Sequence, residues 1–306
     1  MPTKILFFIL PHTHLMDLAG PDQVFLEAID YGADLEIEYC SYTNNIGTSA
    51  GLPFGKVKHF SKINCKKGDF IFIPGADIKF LHSKEFKSQK EIFAWINTCH
   101  EQGINICSIC TGSFVLAQSG ILDHKNCTTH WKRTAELKQL YPKLNVIENV
   151  LFTQEDGIYT SAGIASGIDM ALHIIEELKD EYFAHKVARE LVIYNRRKGN
   201  HSQQSVYTNY RNHIHSGIHK VQDRLQENIH QKISLTELAE LASMSDRNLT
   251  RIFKKETGLT IHEYINLLRK EKINELLNNP DLSRTQIAQQ IGLKSERHLI
   301  RLIHAQ

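Results

Sequence analysis

Cys110 is the residue of this chain best placed to do chemistry. A short apolar run from Ile104 to Ile109 reads as a buried strand, and it stops at the cysteine. Ser108 and Gly112 lie two positions before and after it, and Ser113 to Ser119 follows as an amphipathic run. Strand, tight turn and helix in that order are the grammar of a nucleophile elbow, and the small neighbours let backbone and side chain approach closely there. A cysteine in such a turn sits at a helix N-terminus, where free N–H groups and the helix dipole favour a thiolate. The backbone N–H of Thr111, with one from Gly75 or Ala76, could form an oxyanion hole. His130 is a candidate base for a Cys–His pair, set against a structural role near the site. The S-x-C-x-G pattern alone fits a buried cysteine at a strand end equally well.

A second chemistry lies near the C-terminus, where two similar stretches each combine a helix start with regularly spaced cations. Ser234…Glu237 opens Leu235 to Ala242, a turn follows at Ser243-Met244, and Ser245 to Phe253 completes a helix-turn-helix pattern. Ser283…Gln286 opens a second copy running to Arg301. Ala239 matches Ala288, Ser243 matches Gly292 and Arg251 matches Arg301, with one residue more in the second turn. Side chains on exposed helix faces of this kind read bases or grip phosphates. The candidates are Arg247, Asn248 and Arg251 in the first copy and Ser295, Arg297, His298 and Arg301 in the second. Single exposed arginines are otherwise ordinary solvent-facing residues.

The chain around these stretches has 306 residues, enough for two domains. Its charge is uneven. Residues 1–195 balance at −5 and residues 196–306 at +7, which suggests a nucleic-acid partner for the second part. Six cysteines scattered over the first two-thirds form neither a secreted disulfide framework nor a zinc-spaced set, and free thiols in a reducing cytoplasm are the simplest reading. No apolar run is long enough to span a bilayer, and Ile5 to Leu10 is too short for a signal-peptide core. The expectation is a cytoplasmic protein with no membrane partner, no metal and no cofactor.

Strands are expected at Lys4–Leu10, Leu35–Tyr42, Phe70–Ile73 and in the run before Cys110, with short ones near 145–147, 151–154 and 158–160. Helices are expected from Pro21 to about Tyr31, at Gln89–Gln102, Trp131–Leu140 and Gly163–Leu178, while Pro11 to Leu18 reads as a loop. Alternating strands and helices imply a parallel α/β sandwich of flavodoxin-like form, with the site beyond the C-terminal ends of the strands.

Three segments carry a family resemblance: Met16-Asp17-Leu18-Ala19-Gly20-Pro21, Ser108 to Ser113 running on to Thr128-Thr129-His130-Trp131, and Gly163 to Asp169. Together they resemble the PfpI-like branch of the class I glutamine amidotransferase superfamily, within it the isonitrile-hydratase-like group, over about residues 3–195. The resemblance implies that Asp17 contacts the elbow cysteine, as a proton-shuttling carboxyl beside a thiolate. It also implies dimers. Trp131-Lys132 replaces the x-Glu that an amidotransferase places after its histidine, and amidotransfer is not expected. Ala76 stands where relatives often have a second glycine.

The polar stretch 196–216 reads as a linker. From 217 to 306 the chain is all-helical, with a third capping box at Thr260…Glu263 opening a long helix, about Ile261 to Asn278, ended by Asn279-Pro280. Two helix-turn-helix units bridged by one helix resemble the AraC/XylS DNA-binding domain, although the chain stops at Gln306, just after the second recognition helix. The expected organisation is therefore 1–195 α/β domain, 196–216 linker and 217–306 DNA-binding domain. Two readings follow. One is a transcriptional regulator that binds double-stranded DNA, with a first domain that senses a small-molecule effector or dimerises. The other, less favoured, is a cysteine-dependent enzyme (isonitrile hydratase-, hydrolase- or glyoxalase-like) using Cys110 and Asp17.

Overall fold

In the computed structural model the described residues are 2–193, 196–203, 205–277 and 282–304. They form two compact units, 1–203 and 204–306.

In the first unit the strands are β1 (Thr3–Phe8), β2 (Leu35–Ser41), β3 (Lys58–His59), β4 (Phe70–Ile73), β5 (Asn105–Ile109), β6 (Asn126–Cys127), β7 (Asn145–Val146), β8 (Phe152–Glu155) and β9 (Ile158–Ser161). The helices are α1 (Leu15–Asp30), α2 (Ile78–Leu81), α3 (Lys84–Lys87), α4 (Lys90–Glu101), α5 (Gly112–Ser119), α6 (Thr134–Leu140), α7 (Ala165–Leu178) and α8 (Glu181–Glu190). Seven strands form one sheet in the order β3-β2-β1-β4-β5-β9-β8. Every pairing is parallel except the antiparallel edge pair β8–β9. Both faces of the sheet are covered, which is why β1, β4 and β5 read as near-continuous apolar runs. Side chains alternate between two cores: Leu6, Phe8, Ile71, Ile73 and Ile106 pack to one side, and Ile5, Phe7, Phe70, Phe72, Cys107 and Ile109 to the other.

The first helix corrects the expectation from sequence. It begins at Leu15, so Asp17 stands in its first turn rather than on a loop, and Pro21 lies inside it. Tertiary packing outweighs the helical hydrogen bond that proline gives up. Gly20 lies against Ile168, where a Cβ would meet Cγ1 at 2.8 Å, and Gly167 lies against Pro21 and Ile109. Two of the three motif segments thus meet as one close helix–helix contact. Helix α5 is likewise not amphipathic. Gly112 to Ala117 are all buried, because the helix is covered by α4 as well as by the sheet. Helix α8, which is not among the helices expected from sequence, buries Ala184, Val187 and Ala188.

Residues 196–203 belong to the first unit. Arg197 bonds the buried Asp169 through Nη2 at 2.6 Å and Nε at 3.1 Å, and the Gly199 carbonyl accepts from Leu151 N–H at 2.8 Å.

The second unit contains α9 (Val206–Asn209), α10 (Ser216–Glu227), α11 (Leu235–Leu241), α12 (Asp246–Thr257), α13 (Ile261–Leu276), α14 (Arg284–Gln290) and α15 (Glu296–His304). Helix α13 bridges two cores. Its Tyr264 and Leu268 join Ile218, Val221, Leu238, Leu249 and Phe253, and its Ile273 joins Ile287, Ile291, Leu299 and Leu302. The Asn279-Pro280 stop signal lies outside the described residues.

Thr260/Glu263 and Ser283/Gln286 are complete capping boxes. Ser234 caps α11 without the reciprocal arm, because Glu237 turns to Arg224 at 2.9 Å. Residues 205–211 are held to this unit. Val206 N–H donates to Glu271 at 2.6 Å, the Tyr210 carbonyl accepts from Gln222 at 2.9 Å, and Arg211 pairs with Asp223.

Candidate functional site

Strand β5 leads directly into Cys110, whose φ of +55° is the left-handed turn of an elbow. Three bonds fix the turn. Cys110 N–H donates to the Ser161 carbonyl at 2.9 Å, and the Cys110 carbonyl accepts from Ser113 Oγ at 3.1 Å and from Thr129 Oγ1 at 2.8 Å. The Thr129 clamp had no signal in the sequence beyond its place beside His130.

Asp17 is fully buried beside the cysteine. Its Oδ1 accepts from the Ile164 N–H at 2.6 Å. Ile164 itself has φ +51°, so the loop entering α7 is bent to deliver that N–H. Oδ2 is buried without a hydrogen-bond partner, and His14 Nδ1 stands 3.3 Å from it. His14, Asp17 and Cys110 each place one ligand-type atom within 4.8 Å of the other two. His14 was not a candidate from sequence. Its signal was a helix start that Pro21 obscured: His14 is the N-cap of α1, three residues before Asp17.

The electrostatics differ from a helix-activated thiolate. Burial pushes the Cys110 thiol well above the ordinary range, the charge of Asp17 pushes it further, and the Thr111 backbone N–H bonded to the sulphur pulls the other way. Thr111 Oγ1 clamps the β4 turn, accepting from Ala76 N–H at 2.9 Å and donating to the Ala76 carbonyl at 2.7 Å. The Ala76 N–H is therefore already engaged. Gly75 has no room for a side chain, since a Cβ there would collide with Asp17 Oδ2 and meet Cys110 Cβ at 3.0 Å. His130 lies outside the cluster. It caps a short 3₁₀ turn at Trp131–Arg133, accepting from Lys132 N–H at 3.4 Å, and burial holds its imidazole below the usual histidine range, assisted by Lys132. The arrangement of His14, Asp17 and Cys110 can relay a proton between thiol, carboxylate and a half-exposed imidazole, or hold a cation.

In the second unit the two helix-turn-helix copies share their turn and recognition-helix chemistry, with one residue more in the second turn. The first helix of each ends on a left-handed residue, Ser243 at φ +56° and Gly292 at φ +71°. The following N–H groups return to the same carbonyls in each copy, Met244 to Ala239 at 2.9 Å and Leu293 to Ala288 at 2.8 Å. In the recognition helices α12 and α15, Leu249 and Leu299 face the cores, while Arg247 and Arg251, and Arg297 and Arg301, are exposed. Arg251 donates to Asn248 Oδ1 at 3.0 Å. Ser295 is placed differently from the other candidates: its Oγ accepts from His298 N–H at 3.3 Å, as Ser245 Oγ does from Asn248 N–H at 3.4 Å. Both serines cap their helices. Sequence reasoning missed Thr250, Lys254 and Lys255, which stand exposed beside Arg247 and Arg251 on α12. The signal was there, since 247, 250, 251 and 254 follow the helical repeat.

Fold and elbow together define the class of the first unit: the chain belongs to the DJ-1/PfpI family, whose sequence profile matches residues 3–177. A helix-turn-helix domain profile matches residues 238–306, so the chain joins a DJ-1/PfpI domain to a helix-turn-helix domain of the AraC type. Among its relatives is the HTH-type transcriptional regulator CdhR of Pseudomonas aeruginosa, 28% identical over 241 residues, which are 78% of this chain and 70% of that protein. The isonitrile hydratase of Pseudomonas putida is 31% identical over 180 residues, 58% of this chain and 73% of the enzyme. Across the HTH-type regulators it matches, the chain spans between 57% and 70% of the relative's length. The crystal structure of an AraC family transcriptional regulator from Pseudomonas putida has the same fold, with a TM-score of 0.53 at 18% identity over 62% of this chain and all of that one.

Proposed function

We propose that the protein is a sequence-specific DNA-binding transcriptional regulator whose DJ-1/PfpI domain senses a small molecule at the Cys110 elbow and forms a homodimer. The observation that carries the reading is the duplicated helix-turn-helix, with two recognition helices that present cations at corresponding positions and share one bridging helix, α13. Two such helices suit successive major-groove segments about 34 Å apart. Arg247, Asn248, Arg251, Arg297, His298 and Arg301 supply the contacts, and Ser295 holds α15 in shape. Among the described residues no helix is long and apolar enough to cross a membrane.

The test is binding of the purified protein to promoter fragments, its own included, followed by fluorescence anisotropy across a salt series. Sequence preference that persists at moderate salt supports the reading, while uniform weak binding to every fragment refutes it.

The close grouping of His14, Asp17 and Cys110 favours a second reading, a cysteine-dependent hydratase, hydrolase or glyoxalase-like activity. Turnover of isonitriles or 2-oxoaldehydes that is lost in both Cys110→Ala and Asp17→Asn would support it. The absence of turnover in the unmodified protein would leave the site to sensing alone.

A further inference from the structure

We propose that His14, Asp17 and Cys110 bind one divalent d-block cation of zinc-like character. The three residues offer an imidazole nitrogen, a carboxylate oxygen and a sulphur, all within 4.8 Å of one another. Nitrogen, oxygen and sulphur in one site suit zinc and its neighbours rather than magnesium or calcium, which prefer oxygen alone. Asp17 Oδ2 is fully buried and has no hydrogen-bond partner outside the cluster, where His14 Nδ1 stands 3.3 Å away and the Cys110 thiol bonds to the same carboxylate. A buried carboxylate charge is costly, and a cation held among the three donors lowers that cost.

The surroundings fit a metal centre in three further respects. The Ile164 N–H at 2.6 Å fixes the other carboxylate oxygen, which is how outer-shell groups orient a ligand. Gly75 and Gly163 pack their backbones directly against Asp17 and Cys110, which holds these two donors close together. His14 has 36% of its side chain exposed, which provides an entry path. Binding replaces the Cys110 S–H bond with a sulphur–metal bond and releases the proton to solvent. Three protein ligands leave a fourth position for water or for a donor atom of a small molecule.

The proposal stands apart from the DNA-binding reading and is tested without DNA. The full-length protein, stripped with chelator and dialysed, is titrated with Co²⁺ and then with Zn²⁺. One equivalent of cobalt per chain is expected, with a thiolate-to-cobalt charge-transfer absorption that zinc bleaches. His14→Ala and Cys110→Ser should each weaken binding at least about 100-fold, the upper end of what losing an outer-shell partner costs. His185→Ala, which changes an exposed histidine on α8, should leave it unchanged. Circular dichroism of each variant confirms that it is folded, and the half-exposed His14 tolerates truncation if the buried cysteine does not. No charge-transfer band in the unmodified protein, or undiminished binding in folded His14→Ala, overturns the assignment. A protein that fails to bind DNA but gives the cobalt spectrum would refute the regulator reading and leave this one standing.

Discussion

Gly163 faces Cys110 with no space for a side chain between them: a Cβ on the glycine would overlap Cys110 Cβ and sit 2.9 Å from Sγ. Its φ of +97° is also one that residues with a Cβ avoid. The next residue, Ile164, supplies the N–H that holds Asp17. One loop therefore makes room for the thiol and orients the acid.

Gly163→Ala should destabilise the first unit by about 2–3 kcal/mol, combining overpacking with a strained φ. Urea unfolding followed by tryptophan fluorescence measures the loss. A midpoint within error of the unmodified protein would mean that the loop relaxes freely and does not define the elbow.

The two turns of the helix-turn-helix copies make a paired prediction. Ser243 adopts a left-handed conformation that glycine occupies in the second copy. Ser243→Gly should stabilise the second unit or leave it unchanged, within about 1 kcal/mol. Gly292→Ala should do the reverse and more strongly. Besides its positive φ, a Cβ at 292 would collide with the carbonyl of His230, so the segment after α10 would have to move. Thermal melts of the two variants, compared with the parent, decide the sign of each.

The architecture was legible because its strands are buried on both faces and announce themselves as apolar runs, and because Ser108 and Gly112 flank Cys110 as an elbow requires. The start of α1 was not. Pro21 is a strong start signal, but it sits in the helix interior, tolerated through its contact with Gly167. That misplacement hid His14, which becomes a site residue only once the helix begins at Leu15. The left-handed Ile164 was illegible for a different reason, since a β-branched residue gives no hint of positive φ and tertiary contacts impose it. Ser295 shows the opposite failure. Its counterpart Ser245 caps α12 in the same way, which the aligned repeat could have signalled.

Acid should loosen the segment before α10. His213 stacks on His219 with ring centroids 4.3 Å apart, and both of its ring nitrogens are buried. Burial, then the neighbouring His219, holds its imidazole below the ordinary value of 6.5, against the opposing pull of Gln222 and Glu256, while His215 adds to the depression. A histidine that titrates lower when folded than when unfolded takes up its proton more readily in the unfolded chain. The contribution of His213 to the second unit's stability should then be complete above about pH 6.5 and decline as pH falls below that value. His213→Gln should flatten this part of the pH profile in denaturant melts. An unchanged profile would assign the effect to other histidines.

The two recognition helices should respond differently to substitution, according to what each side chain does in the free protein. Arg247 and Arg251 are exposed on α12 beside Thr250, Lys254 and Lys255. Replacing either arginine by alanine removes a charge while α12 keeps its Ser245 cap and its buried Leu249 and Phe253. Binding should weaken by about 1–3 kcal/mol, and an arginine that contacts phosphate should also lower the salt slope by about 1. Ser295→Ala removes no charge. It costs α15 its cap, worth about 1 kcal/mol of stability, so DNA affinity should fall with melting temperature while the salt slope stays the same. Anisotropy titrations at several salt concentrations, run beside thermal melts, separate the two behaviours. A Ser295→Ala protein of unaltered stability but changed sequence preference would show that the hydroxyl leaves its cap and reads a base.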